Sequence, residues 1–294
     1  MRRAYLQCVK FRPRRVSPRC GFVLLLALLI LTLTVVLLNR LATQSLRLAT
    51  QLRAAEQRLQ QDWAVWSATT ILLGRAESLL AEADSREGKA ATSRVLDLSL
   101  GEAQLRVVVT DESALLNVNS LRMTLGNARA ATLVRKYSGQ LETAELSSRF
   151  FAEAVEGKTL DSFADVFRDA AEPKQLESFL QAPDRQLTCW GNGRVNYQRS
   201  SHELLLELAS AHGHRGLMTR FLRAFDAEPT ASLDSLAIKA KLTDAERRLL
   251  AMLVQPSSNC WSISVIAGHE RSVFVVREAD EGAIRGQIRS CRLR

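Results

Sequence analysis

Between Phe22 and Leu38 the chain runs for seventeen residues without a charge, and its only polar side chains there are Thr32 and Thr34. A stretch of that kind crosses a ~30 Å hydrocarbon layer as a helix, at the short end of the usual span length, because a helix satisfies its own backbone where no water is present. Ahead of it lie Arg2, Arg3, Lys10, Arg12, Arg14, Arg15 and Arg19 with no Asp or Glu. An excess of cations on one flank holds that flank in the cytoplasm, so everything after Asn39 is expected on the far side of the inner membrane.

A secretory signal peptide has an apolar core of ~7 to 15 residues and ends at a small-x-small cut. Here the apolar positions continue through Leu41, Leu46, Leu48, Leu52, Leu59, Trp63 and Trp66 at mostly helical spacings, with no Pro and no Gly before Gly74. The pattern predicts one helix from the membrane to about Leu73, roughly 50 residues and ~80 Å long from Phe22. A plain signal anchor with a long stalk accounts for these facts equally well.

Residues at the edge of the run separate the two readings. Gly21-Phe22 resembles the cut site of the prepilin peptidase that matures type IV pilins and pseudopilins, which requires Gly before the bond and most often has Phe after it. The leader of 21 residues is longer than this class commonly carries. Most members place a Glu at position five of the mature chain, where its carboxylate neutralises a neighbour's terminal amine inside the lipid, since an unpaired charge at that depth costs several kcal/mol. This chain has Leu26 there, a departure typical of the K-type minor pseudopilin of type II secretion.

Of the formal net charge of +9, the seven cations ahead of Phe22 account for all but +2. The basicity is therefore topological, and it argues against a nucleic-acid partner, which calls for a basic field. Cys189, Cys260 and Cys291 follow the membrane segment, an odd number in a compartment that permits disulfides. Cys189 with Cys260 is the candidate pair; three unpaired thiols are the alternative.

After the polar segment 82–89 the period changes from helical to two. Leu96, Leu98 and Leu100, a turn at Gly101-Glu102, then Leu105, Val107 and Val109 predict a β-hairpin, with Val108 as an apolar intruder. From Leu121 to about Val254 the pattern reads helical: 121–137, 143–156, 160–170, 173–181, 201–212, 216–225, 233–240 and 244–254. Ser200 with Glu203 and Thr243 with Glu246 have capping-box spacing. Beyond Pro256, Trp261, Ile263, Val265, Val273 and Val275 restore period two around a turn at Gly268-His269-Glu270, and Ala283 to Arg289 adds a third strand. Neither hairpin persists alone in water, so the two sets of strands must pair across the helical block.

This order resembles the K-type minor pseudopilin over nearly the full length. Asp111 followed by Asn117-Val118-Asn119 matches that family's entry into its helical domain, Val195-Asn196-Tyr197 with a Ser200 cap matches a second such element in part, and Ser257 to Ile266 matches the return loosely. Asn117, Asn119, Asn196 and Ser200 read physically as turn and cap residues between sheet and insert. The expected fold is α/β and pilin-like: leader 1–21, membrane segment 22–38, stalk helix 39–80, a β region from 81–116 with 257–294, and an inserted all-α domain, 117–256. The resemblance implies a non-enzymatic tip subunit of a periplasmic pseudopilus that serves protein export. Its partners would be the minor I and J types, the major pseudopilin, the prepilin peptidase and the inner-membrane secretion platform. Rival readings are a minor pilin of a DNA-uptake or adhesion pilus and an uncleaved envelope scaffold.

Nothing in the chain has a nucleophile constellation, and none of its four histidines lies in a zinc-protease signature. His212-Gly213-His214 is a weak metal candidate beside its reading as a helix end. The resemblance also implies calcium in the β region; Glu278, Asp280 and Glu281 are the candidates, with Asp111 and Glu112 able to approach from the other hairpin, against the plainer reading of an exposed acidic turn. Gly191-Asn192-Gly193-Arg194 has the composition of a phosphate-cradling loop, a reading opposed by the charge balance.

Overall fold

A computed structural model describes residues 18–87, 91–141, 144–152, 159–168, 173–267, 271–280 and 283–291. The chain divides into two compact units, Met1–Leu59 and Gln60–Arg294. Helix α1 (Pro18–Gly74) supplies the described part of the first. Its side chains from Phe22 to Leu59 are exposed. Thr32, Thr34, Thr43 and Thr50 each donate a hydroxyl to a carbonyl three or four residues back, so even the polar side chains of the apolar run need no water.

In the second unit the last turns of α1 bury Ala64, Val65, Ala68 and Leu73, joined by Ala76 and Leu80 of α2 (Ala76–Glu87), on one face of a sheet. The sheet has five antiparallel strands in the order β1 (Ser93–Leu100), β2 (Ala103–Asp111), β3 (Cys260–Ala267), β4 (Arg271–Asp280) and β5 (Ala283–Cys291). Leu105, Val107, Val109, Ile263, Val265 and Val275 meet the helices, while Cys260, Phe274 and Val276 join the core of the helical block. Val108 is buried too and shares a face by register with Ser264 and Phe274. The intruder in the alternation thus marks β2 as a central strand covered on both sides.

The chain leaves the sheet at Asp111 and re-enters at Cys260, with Asp111 paired to Trp261. Between them lie α3 (Val118–Leu125), α4 (Asn127–Tyr137), α5 (Ser148–Phe151), α6 (Phe163–Val166), α7 (Pro173–Gln181), α8 (His202–Ala211), α9 (Arg215–Ala227), α10 (Leu233–Lys239) and α11 (Asp244–Leu253). Two short parallel pairings tie the root of this insert: Leu116–Asn117 with Leu187–Thr188, and Val195–Asn196 with Val254–Gln255.

Several sequence expectations are corrected. The helix expected over 121–137 is two, because Gly126 adopts φ 77° and ends α3 with its N–H on the Arg122 carbonyl. Among the described residues of 143–156 and 160–170 only α5 and α6 are helical, and Leu146 bridges to Phe167 as a strand residue would. The N-cap of α8 is Ser201, whose hydroxyl accepts from Leu204 N at 3.2 Å; Ser200 stands one residue earlier, buried. The capping box at Thr243 and Glu246 is present in both directions. The expected turn at 268–270 lies outside the described residues.

Candidate functional site

At the amino end, Gly21 and Phe22 fall within α1, Phe22 is exposed, and Leu26 at the fifth position counted from Phe22 is 48% exposed. This helix is long and apolar enough to cross a membrane. In the first unit Leu41, Leu48, Leu52 and Leu59, spaced seven, four and seven apart, share one side of the helix. In the second unit Trp63 and Trp66 are 61% and 62% exposed and meet edge to face at 5.9 Å, while Ala64, Val65 and Ala68 on the other side are buried. In these turns one side of the helix is packed, and both tryptophans stand on the open side.

The second feature is a buried polar cluster at the root of the insert. Asn117 caps α3, accepting from Ser120 N at 3.0 Å, and donates to the Trp190 carbonyl at 2.7 Å. Asn119 donates to the carbonyls of Leu160 and Cys189, both at 3.0 Å, and accepts from Leu160 N at 2.8 Å. Each asparagine thus imitates a strand, satisfying backbone of distant segments that no ladder reaches. Asn196 accepts from Gln198 N at 3.0 Å and donates to Ser258 Oγ at 2.7 Å and Asp111 Oδ2 at 3.2 Å. Ser200 Oγ finds no partner among the described residues.

The adjacent carboxylates of Asp111 and Glu112 are both fully buried and differ in their partners. Glu112 receives Arg185 in a two-pronged pair, at 3.2 Å and 2.5 Å, together with the Ser262 hydroxyl. Arg185 is itself buried, 5.9 Å from the Phe163 ring centroid and 5.8 Å from that of Phe274. Asp111 accepts from Ser113 N at 3.0 Å and from the Ser258 hydroxyl, and its nearest cation, Arg199 Nε, stands 3.7 Å away. Arg199 is already committed to Asp84 of α2 at 2.6 Å. Burial therefore outweighs the hydrogen bonds and pushes the Asp111 carboxyl up from 3.8 to about 6. Arg185, Arg199 and Ser258 are the cluster members that the sequence left unmarked, and Glu112 stood out only as a carboxylate able to approach a calcium ion, since partners 73 or 147 residues apart leave no spacing to read.

The remaining candidates resolve individually. Cys189 and Cys260 are free thiols, both buried, so the expected disulfide is not formed; burial pushes both thiols upward. Glu278 accepts from Gly191 N at 3.0 Å. Asp280 lies at the end of β4 past an irregularity in the ladder, and Glu281 falls outside the described residues. Calcium requires six or more oxygens. Among the described residues no group of three or more His, Cys, Asp or Glu is poised for a metal, and Asp111, Glu112 and Glu278 are occupied by protein donors. The described carboxylates do not fit a calcium site. His212 caps the end of α8, with burial and then His214 holding its imidazole below the ordinary value. The Gly191–Arg194 loop spends its first amide on Glu278 and packs Gly193 against Ser120, so it is a packing element of the insert root.

No protein-family model matches the chain. No curated protein matches it either. Among solved structures, a chain of the GspK-GspI-GspJ complex from the enterotoxigenic Escherichia coli type 2 secretion system aligns with a TM-score of 0.48 at 13% identity, over 82% of this chain and 99% of that one.

Proposed function

We propose that the chain is a minor pseudopilin of type II protein secretion, a non-enzymatic subunit cleaved between Gly21 and Phe22, anchored in the inner membrane with its folded domain in the periplasm. The observation that carries this reading is α1 itself. One helix is apolar and uncovered over its first turns and is packed on a sheet only along one side of its last turns. A helix of that kind is unfinished as a monomer: lipid covers the first part, and the open side carrying Trp63 and Trp66 calls for neighbouring helices. Leu26 and the large insert favour a tip position of the K type, with the I and J minor subunits and the major pseudopilin beside it. A subunit with nothing above it has no neighbouring amine to neutralise.

Amino-terminal sequencing of the membrane-extracted protein tests the reading. The mature chain is expected to begin at Phe22, and Gly21→Ala is expected to leave the leader in place and abolish export of the secretion cargo together. A wild-type chain that still begins at Met1, or normal export by the Gly21→Ala variant, removes the proposal in favour of an uncleaved envelope scaffold. Tight DNA binding by the protein at moderate salt would point instead to an uptake pilus.

A further inference from the structure

Four segments separated in sequence converge on one carboxyl group. Asp111 ends β2, and its backbone N–H donates to the Thr92 carbonyl at 2.8 Å. Oδ1 caps the 3-10 turn at 112–114 through Ser113 N. Oδ2 gathers Asn196 from the insert and Ser258 from the return loop. Arg199, whose carbonyl accepts from Thr92 Oγ1 at 2.9 Å, links the same point to Asp84 of α2. We propose that Asp111 is a proton-operated latch at the root of the helical insert, holding segments 195–199 and 254–259 to the sheet when protonated and releasing them when ionised.

The geometry supplies both states. In the neutral state Oδ2–H donates to Ser258 Oγ, which also accepts from Asn196 Nδ2 at 2.7 Å, while Oδ1 keeps the Ser113 amide. The Ser258 hydroxyl then turns from donor to acceptor toward Oδ2, and its own proton is released from the carboxyl. In the ionised state a full charge sits in a site with no water-facing surface, and its one facing cation is shared. The other charged groups around it do not help. Glu112 on the same turn is neutralised by Arg185, Asp84 of α2 by Arg199, and Glu278 of β4 is bonded to Gly191 N. The return loop 254–259 contributes no ionisable side chain. Opening hydrates the carboxylate, so the closed form binds the proton more tightly than the open form, and raising the pH favours opening. The shift from 3.8 to about 6 corresponds to opening on the order of a hundredfold more frequent above the window than below it.

The test is hydrogen exchange of the full-length protein in detergent micelles from pH 4.5 to 8, corrected for intrinsic exchange rates. Segments 195–200 and 254–259 are expected to lose protection as pH rises to about 6 and then to level off, while strands β2 and β3 hold theirs. Asp111→Asn is expected to remove the pH dependence. Should that variant not fold, Arg199→Gln gives an independent answer, because removing the facing cation must move the midpoint to higher pH. Protection at these segments that is flat with pH in the wild type, pH dependence that survives Asp111→Asn, or an unmoved midpoint in Arg199→Gln would overturn the latch.

Discussion

At the residue scale, neighbouring carboxylates at one strand end do opposite things because their partners differ. Glu112 is one half of a buried pair with Arg185, and removing one half leaves the other charge stranded. Arg185→Met is therefore expected to cost about 3–5 kcal/mol in chemical denaturation, whereas replacing both partners with apolar residues should cost much less. Asp111 acts through pH. Its folded carboxyl at about 6 lies above the unfolded value near 3.8, so the native state keeps a proton that the unfolded chain has lost between those values. Stability should fall by about 3 kcal/mol as pH rises through that window and stay level above it, and Asp111→Asn should flatten the profile in pH-dependent melts. A smaller contrast tests the cap of α8. Ser201→Ala is expected to lose about 1 kcal/mol, and Ser200→Ala, whose hydroxyl has no partner among the described residues, close to none. The asparagines were legible as turn and cap residues from their type alone. Their actual partners were not, because Asn119 reaches 41 residues forward to Leu160 and 70 to Cys189.

At the element scale, period and punctuation were readable wherever a single rule governed. The hairpin β1–β2, the return strands and the capping box at Thr243 follow from alternation and local side-chain chemistry. The pattern misled at Leu146 and Phe167, where apolar spacing looked helical but the two residues satisfy each other across a bridge. Tertiary pairing overrode local propensity there. The missed break inside 121–137 had a visible cause in Gly126, which sits in a conformation that favours Gly. Gly193 is the sharper case: at φ 84° an added Cβ would lie 2.7 Å from Ser120 Cβ, at the first turn of α3. Gly193→Ala is expected to lower stability by at least 1–3 kcal/mol and to disturb α3 more than α9, measurable as a selective loss of exchange protection.

At the scale of the whole molecule, the proposed function rests on a division of surface along one helix. Trp63→Ala with Trp66→Ala leaves the buried Ala64, Val65 and Ala68 untouched. Thermal stability of the purified protein should change by less than about 1 kcal/mol, while co-purification from membranes with the pseudopilins proposed as its partners should drop. A fall in both would mean that the open side is covered within the monomer. The insert has a separate consequence, for the order of assembly. Asp111 and Trp261 are ladder partners 150 positions apart, and a loop of that length closes slowly unless something shortens it. The two-residue parallel pairings divide that loop in two, tying 116–117 to 187–188 and 195–196 to 254–255. Each closes a shorter loop than the sheet does, so the expected order is the helical block first and the sheet after it. While the polypeptide is still being synthesised, the first hairpin waits with a bare edge on β2 until Cys260–Ala267 has been made, and over that interval the nascent chain is open to strand pairing with the wrong neighbour.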